Sequence, residues 1–118
     1  MAASSIMSDL MAVIAQRKVN PDAEKSYTAS LLAGGVARIG AKIVEEAAET
    51  IEAADEPGDA GREHLIKEAA DLVFHLAVLL AHRDLQWTDV EGELQRRFGT
   101  SGHAEKAARK RAPRSSEE

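Results

Sequence analysis

The stretch EEAAETIEAADEPGDAGREHLIKEAAD, running from Glu45 to Asp71, decides the fold. Its two ends are alanine-rich and acidic: Glu45-Glu46-Ala47-Ala48-Glu49 at one, Glu68-Ala69-Ala70-Asp71 at the other. Residues three or four apart share a helix face, so each motif gathers its acids on one side. Between them Asp55-Glu56-Pro57-Gly58-Asp59 is a turn signal. Two helices folded back across that turn bring four or five carboxylates together. Carboxylates packed in this way repel unless something positive sits among them. A hard divalent cation with oxygen ligands, Mg²⁺ above all, meets that need, and its open positions go to water and phosphate oxygens. The pattern points to phosphate chemistry on an all-α scaffold.

The helical reading extends on both sides. Ser5 to Val19 reads as a first helix with Ile6, Leu10, Val13 and Ile14 as its apolar stripe, ended by Asn20-Pro21-Asp22. Ser26-Tyr27-Thr28 opens a second segment through Leu32, which Gly34-Gly35 breaks or kinks. A long helix follows from Val36 to Ala54, with Ile39, Ile43, Ala47 and Ile51 stepping along one face and Glu46 and Glu49 off its edge. The next helix spans Ala60 to Arg83. Its segment Leu72 to Ala81 is apolar nearly all round, which predicts burial on most sides. Thr88-Asp89-Val90-Glu91 reads as a capping box with Thr88 as N-cap, and Gly99 closes that short helix. A last helix is expected from Ser101 to about Arg111, and Pro113 onward reads as a frayed tail. The expected architecture is a bundle of about four to five helices: one domain over residues 1–112 and a flexible tail over 113–118.

Composition narrows the function classes. The 118 residues suffice for one compact domain. Hydrophobic residues make up 44%, but much of that is alanine and aromatics are 3%, so one protomer buries little and partner helices are expected to complete the core. A net charge of -5 argues against a general nucleic-acid binder. Without cysteine there is no disulfide, thiolate nucleophile or Cys-based zinc site, which fits a cytoplasmic protein. No signal peptide is visible at the start, and Leu72 to Ala81 is too short to span a bilayer.

Each candidate residue has a plain structural reading beside the functional one. One EExxE alone is more often a solvated face. The second motif shifts the balance, because Asp71 leads into the most apolar helix, where an unpaired acid is costly. A cation removes the cost; a salt bridge to Lys42, Lys67 or Arg38 is the alternative. His75 is a satisfied core histidine or, one turn beyond Asp71, a residue that orients a ligand. Lys42 is an ordinary ion-pair partner of Glu46 or a phosphate contact. Ser26, Tyr27 and Thr28 start a helix or offer hydroxyls to a triphosphate. The basic run Lys106, Arg109, Lys110, Arg111 and Arg114 is a solvated end or folds over substrate phosphates.

With both motifs placed, the chain resembles the MazG-like all-α nucleotide pyrophosphohydrolases, whose signature is EExxE, a spacer and ExxD. More narrowly it is similar to the phosphoribosyl-ATP pyrophosphatase family. That match is carried by Arg17-Lys18, Ser26 to Leu32 (SYTASLL), Asp71 to Leu76 (DLVFHL), Arg97 to Gly102 (RFGTSG) and Glu105-Lys106-Ala107. Val44 departs from the glycine usual before the paired glutamates. The resemblance implies Mg²⁺-dependent hydrolysis of phosphoribosyl-ATP to phosphoribosyl-AMP and pyrophosphate, the second step of histidine biosynthesis. It implies a homodimer, and the stand-alone form lacking the cyclohydrolase often fused to this enzyme. Glu46, Glu49, Glu68 and Asp71 would hold the metal. Glu45 or Glu49 would take the proton from the attacking water. Lys42, with Lys106 and Arg109 as weaker candidates, would meet charge on the leaving pyrophosphate. A MazG-like house-cleaning enzyme for free nucleoside triphosphates is the nearest rival, and a non-catalytic helical module the more distant one.

Overall fold

A computed structural model describes residues 5–20 and 26–99. Among them are four α-helices and no strand: α1 (Ile6–Val19), α2 (Tyr27–Ala54), α3 (Gly58–His82) and α4 (Trp87–Phe98). The chain divides into two compact units at Gln86, with α1 to α3 in the first and α4 in the second. The expected helix from Ser101, the tail from Pro113, and Lys106 and Arg109 all lie outside the described residues.

α2 and α3 are the principal packing pair, an antiparallel hairpin closed by the short turn at Asp55–Pro57, and α1 packs on both. Serines begin the first two helices. The Ser5 hydroxyl accepts from the Ser8 amide at 3.1 Å, and Ser26 accepts from Ala29 at 3.2 Å. Each occupies one of the amide donors that a helix start leaves open. Inside α2, Gly35 adopts φ 68, ψ -161, which is where the helix kinks. That backbone region is almost confined to glycine.

The hairpin's far end is closed by a Schellman motif. Asp84, at φ 62, donates its amide to the Ala81 carbonyl (2.9 Å), and Leu85 donates to Leu80 (2.9 Å). Lys18, in the last turn of α1, completes the closure. Its ammonium donates to the carbonyls of Ala81 (2.9 Å) and His82 (3.2 Å) and pairs with Asp84 at 2.6 Å. A cation thus sits on the negative end of α3, and the ammonium holds the Asp84 carboxyl below its ordinary pKa.

The core is thin, as composition suggested. Ile14, Leu31, Ile39 and Val78 are its largest fully buried side chains, joined by Met11, Ala53, Ala77 and Ala81. Two expected stripes need correction. In α1 the inward line is Met7, Met11 and Ile14, while Ile6 and Val13 are exposed. In α2, steps of four overshoot a 3.6-residue turn by about 40° each, so a line begun at Ile39 has rotated about 120° by Ile51. Ile51 is accordingly 71% exposed, and the buried line is Ile39, Glu46 and Ala53, two turns apart. In α3 every residue from Leu72 to Ala81 is buried or half-buried except Leu76, so the apolar segment is buried on most sides, as expected.

α4 starts at Trp87, so Thr88 lies in its first turn and is not the N-cap. Gly99 does follow its end and donates its amide to the Gln95 carbonyl. Glu93 binds Arg96 (2.6 Å) and Arg97 (2.8 Å), and these two guanidinium groups hold its carboxyl down to about 2.

Candidate metal centre

The buried line of α2 carries an acid at its midpoint. Glu46 is 7% exposed and faces α3, where Glu68 and Asp71 stand one turn apart. Each of the three offers a carboxylate oxygen, and the three oxygens lie within 4.8 Å of one another. The Oε1 atoms of Glu46 and Glu68 are both buried without a hydrogen-bond partner. Buried polar atoms are almost always bonded, so two orphaned oxygens facing the same acidic cluster are a specific defect.

The protonation equilibrium shows the same strain. Burial pushes the Glu46 carboxyl up to about 7, helped by the close approach of the Glu68 carboxylate and by the charges of Glu49, Asp71 and Glu68. Glu49 is raised too, first by the neighbouring Glu68 carboxylate, although Lys42 opposes the shift. At Glu68, burial raises the carboxyl. The influence of Glu46 and Glu49 and the hydrogen bond with His64 outweigh it, and the net direction is down. A proton shared among these acids discharges the cluster only in part. A divalent cation cancels two of the cluster's charges and gives both orphaned atoms a partner. The donor set, all carboxylate, suits a hard divalent ion. The residues present therefore fit such a metal.

The burial that the sequence suggested for Asp71 belongs to Glu46: Asp71 is exposed. Which acid is buried depends on the rotation of α2 against α3, and that follows from the drift of its apolar stripe. None of the three proposed salt-bridge cations, Lys42, Lys67 and Arg38, pairs with Glu46, Glu68 or Asp71 among the described residues. Lys42 binds Glu45 at 3.2 Å instead, on the exposed side of α2. Glu45 is thereby turned to Lys42, and Glu49 lies outside the three-acid group, with Glu68 the main influence raising its carboxyl.

His75 is buried, and both ring nitrogens are engaged. Nε2 lies 2.7 Å from the Tyr27 hydroxyl, and Nδ1 lies 2.8 Å from the Asp71 carbonyl oxygen. The ring also packs edge-on against Tyr27 and Phe74. It contacts the backbone of Asp71 and ties the start of α2 to α3 behind the acids. The sequence reading left out His64. Its Nδ1 lies 3.0 Å from each Glu56 carboxylate oxygen and its Nε2 lies 3.2 Å from Glu68 Oε2. The Glu56 hydrogen bond is the largest cause of a raised imidazole pKa, against an opposing effect of burial. The i,i+4 spacing from His64 to Glu68 was the signal available in the sequence.

The sequence matches to known proteins extend across both carboxylate motifs. The phosphoribosyl-ATP pyrophosphohydrolase family profile matches residues 7–98, which include every acid of the cluster. A phosphoribosyl-ATP pyrophosphatase of Rhodopirellula baltica is 57% identical over 86 residues, covering 73% of this chain and 72% of the relative. One from Sphingopyxis alaskensis is 53% identical over 100 residues, covering 85% and 89%. One from Novosphingobium aromaticivorans is 50% identical over 104 residues, covering 88% and 94%. With a match of this extent lying across both carboxylate motifs, the chain belongs to the phosphoribosyl-ATP pyrophosphohydrolase family, a family of enzymes that hydrolyse a phosphoanhydride.

Proposed function

We propose that the protein hydrolyses phosphoribosyl-ATP to phosphoribosyl-AMP and pyrophosphate, the second step of histidine biosynthesis, using Mg²⁺ bound by Glu46, Glu68 and Asp71 with Glu49 beside them. The observation that carries this reading is the pair of buried, unbonded oxygens on Glu46 and Glu68, within a three-acid cluster. The family supplies the substrate. A cytoplasmic location follows from the same reading.

Bound there, Mg²⁺ supplies charge neutralisation of the triphosphate and polarisation of the phosphorus under attack. The remaining work falls to side chains. A water forms the new O–P bond at a phosphorus of the α–β anhydride, the bridging P–O bond breaks, and the water's proton passes to a carboxylate. Glu49 suits that role, because the neighbouring Glu68 carboxylate raises its proton affinity. Glu45 is the lesser base, being held by Lys42. Lys42, one turn before Glu46, would exchange Glu45 for the leaving pyrophosphate, with Lys106 and Arg109 of the basic run as further cations.

A homodimer belongs to the same reading. Val44 and Ile51 on α2 and Ile66 on α3 are about 70% exposed, although each is a large apolar residue on the central hairpin. A second copy is the covering that a core this thin calls for.

The direct test is pyrophosphate release from phosphoribosyl-ATP with and without Mg²⁺. Turnover that needs Mg²⁺ and greatly exceeds that on dUTP or ATP supports the reading. Equal turnover on free triphosphates would shift the substrate assignment to a house-cleaning role, and metal-independent turnover would remove the assignment of the acids.

A further inference from the structure

His64 sits between two carboxylates of different character. Glu56 is in the α2–α3 turn and is 45% exposed, whereas Glu68 is in the acidic cluster and is 16% exposed. The turn itself is tightly built. Glu56 donates its amide to Ala53, Gly61 donates to Pro57, and a Cβ on Gly61 would collide with the Glu56 carbonyl. Glu56 therefore stands on a fixed base, and both of its oxygens lie 3.0 Å from His64 Nδ1. On the other side the ring holds only Oε2 of Glu68, at 3.2 Å. Oε1 of Glu68 is the buried atom left without a partner.

We propose that His64 is a positioning residue for the cation site. Anchored by Glu56, its ring holds one Glu68 oxygen and so keeps the other turned inward as a ligand. The inference rests on the metal reading above. A carboxylate with no such anchor rotates among several rotamers and must be ordered when the ion arrives. The relay Glu56–His64–Glu68 does that ordering in advance. A merely solvated trio of side chains predicts no effect on the ion.

The test is Mn²⁺ binding to the full-length, substrate-free protein, followed by the electron paramagnetic resonance signal of the free ion. Half-saturating Mg²⁺ in turnover is measured alongside. His64→Ala should weaken Mn²⁺ binding by roughly tenfold or more, within the range found for residues that orient metal ligands. It should raise half-saturating Mg²⁺ and leave kcat at saturating Mg²⁺ within about twofold, as expected when only the ordering of a ligand is lost. His64→Gln, which keeps one donor for Glu68, should recover part of the affinity. Glu56→Ala should weaken binding less than His64→Ala, and add nothing in the His64→Ala background. Unchanged or tighter binding in His64→Ala overturns the proposal, as does further weakening by Glu56→Ala when His64 is already absent. If His64→Ala fails to fold, wild-type affinity in a folded His64→Asn variant, which lacks the reach to bridge, overturns it equally. Glu46→Gln separates the two levels. If that variant loses Mn²⁺ while His64→Ala binds normally, the metal reading stands and this inference falls. If the wild type binds no Mn²⁺, both fall.

Discussion

A carboxylate 7% exposed, with an oxygen that nothing bonds, gives up its hydration on folding and regains little in return. Glu46 carries this cost, and its pH dependence has a definite sign. Its carboxyl is raised from an ordinary 4.5 to about 7, chiefly by burial. Between those values the folded chain binds more protons than the unfolded one, so stability falls as pH rises. Its contribution is fully present below 4.5 and is lost as pH passes about 7. Thermal unfolding in EDTA should show a lower Tm at pH 8 than at pH 5.5, and saturating Mg²⁺ should reduce the difference. Glu46→Gln removes the charge and keeps the shape. It should abolish Mg²⁺-dependent turnover, by on the order of a thousandfold or more for loss of a metal ligand, while leaving Tm at pH 8 in EDTA equal to or above wild type. A marked loss of Tm in that variant would mean that Glu46 is stabilising as a charge. At this scale the sequence displayed the acids but not their burial. EExxE and ExxD are legible because four acids at helical spacing share a face. Which acid points inward depends on helix rotation, which alanine-rich flanks specify weakly.

Gly35 and Lys18 do the corresponding work for the helices. At φ 68, ψ -161, Gly35 occupies a region that side chains rarely enter. Gly35→Ala should therefore destabilise the fold by about 1–3 kcal/mol in urea titrations. Gly40, in regular helix with open space at its Cβ position, is the control: Gly40→Ala should be neutral or stabilising by up to about 1 kcal/mol. Lys18→Met should cost roughly 1–2 kcal/mol, because two carbonyls at the end of α3 lose a charged donor. The kink was readable, since paired glycines in a helical pattern have few other uses. The α3 closure was not. It places Asp84, rather than glycine, in the left-handed position and draws its cation from α1, a long-range pairing that no local pattern encodes. The Thr88 capping box misled for the opposite reason: its spacing is right, but the helix begins two residues earlier than that cap implies.

Across the whole molecule, the helical class was legible because alanine-rich sequence with a hairpin turn and no strand pattern has little choice but helices, although the apolar stripes of α1 and α2 were misplaced. The thinness of the core was likewise a matter of composition. The surface that covers Val44 and Ile51 in the dimer reading belongs to a second chain, which one chain's pattern does not contain. In the dimer reading, light scattering at micromolar concentration should give twice the chain mass. Val44→Glu, at a position 71% exposed in the single chain, should give a folded or partly unfolded monomer rather than an unaltered dimer. The hairpin has one more consequence, for the order of events in time. Its helices are joined by only a short turn, so Glu46, Glu68 and Asp71 meet through contacts that are near in sequence and need little loop-closure entropy. Helical chains with such contacts refold within about microseconds to milliseconds. In the metal and dimer readings, the acid cluster assembles as the hairpin zips, so the ion is captured ahead of any encounter between two chains.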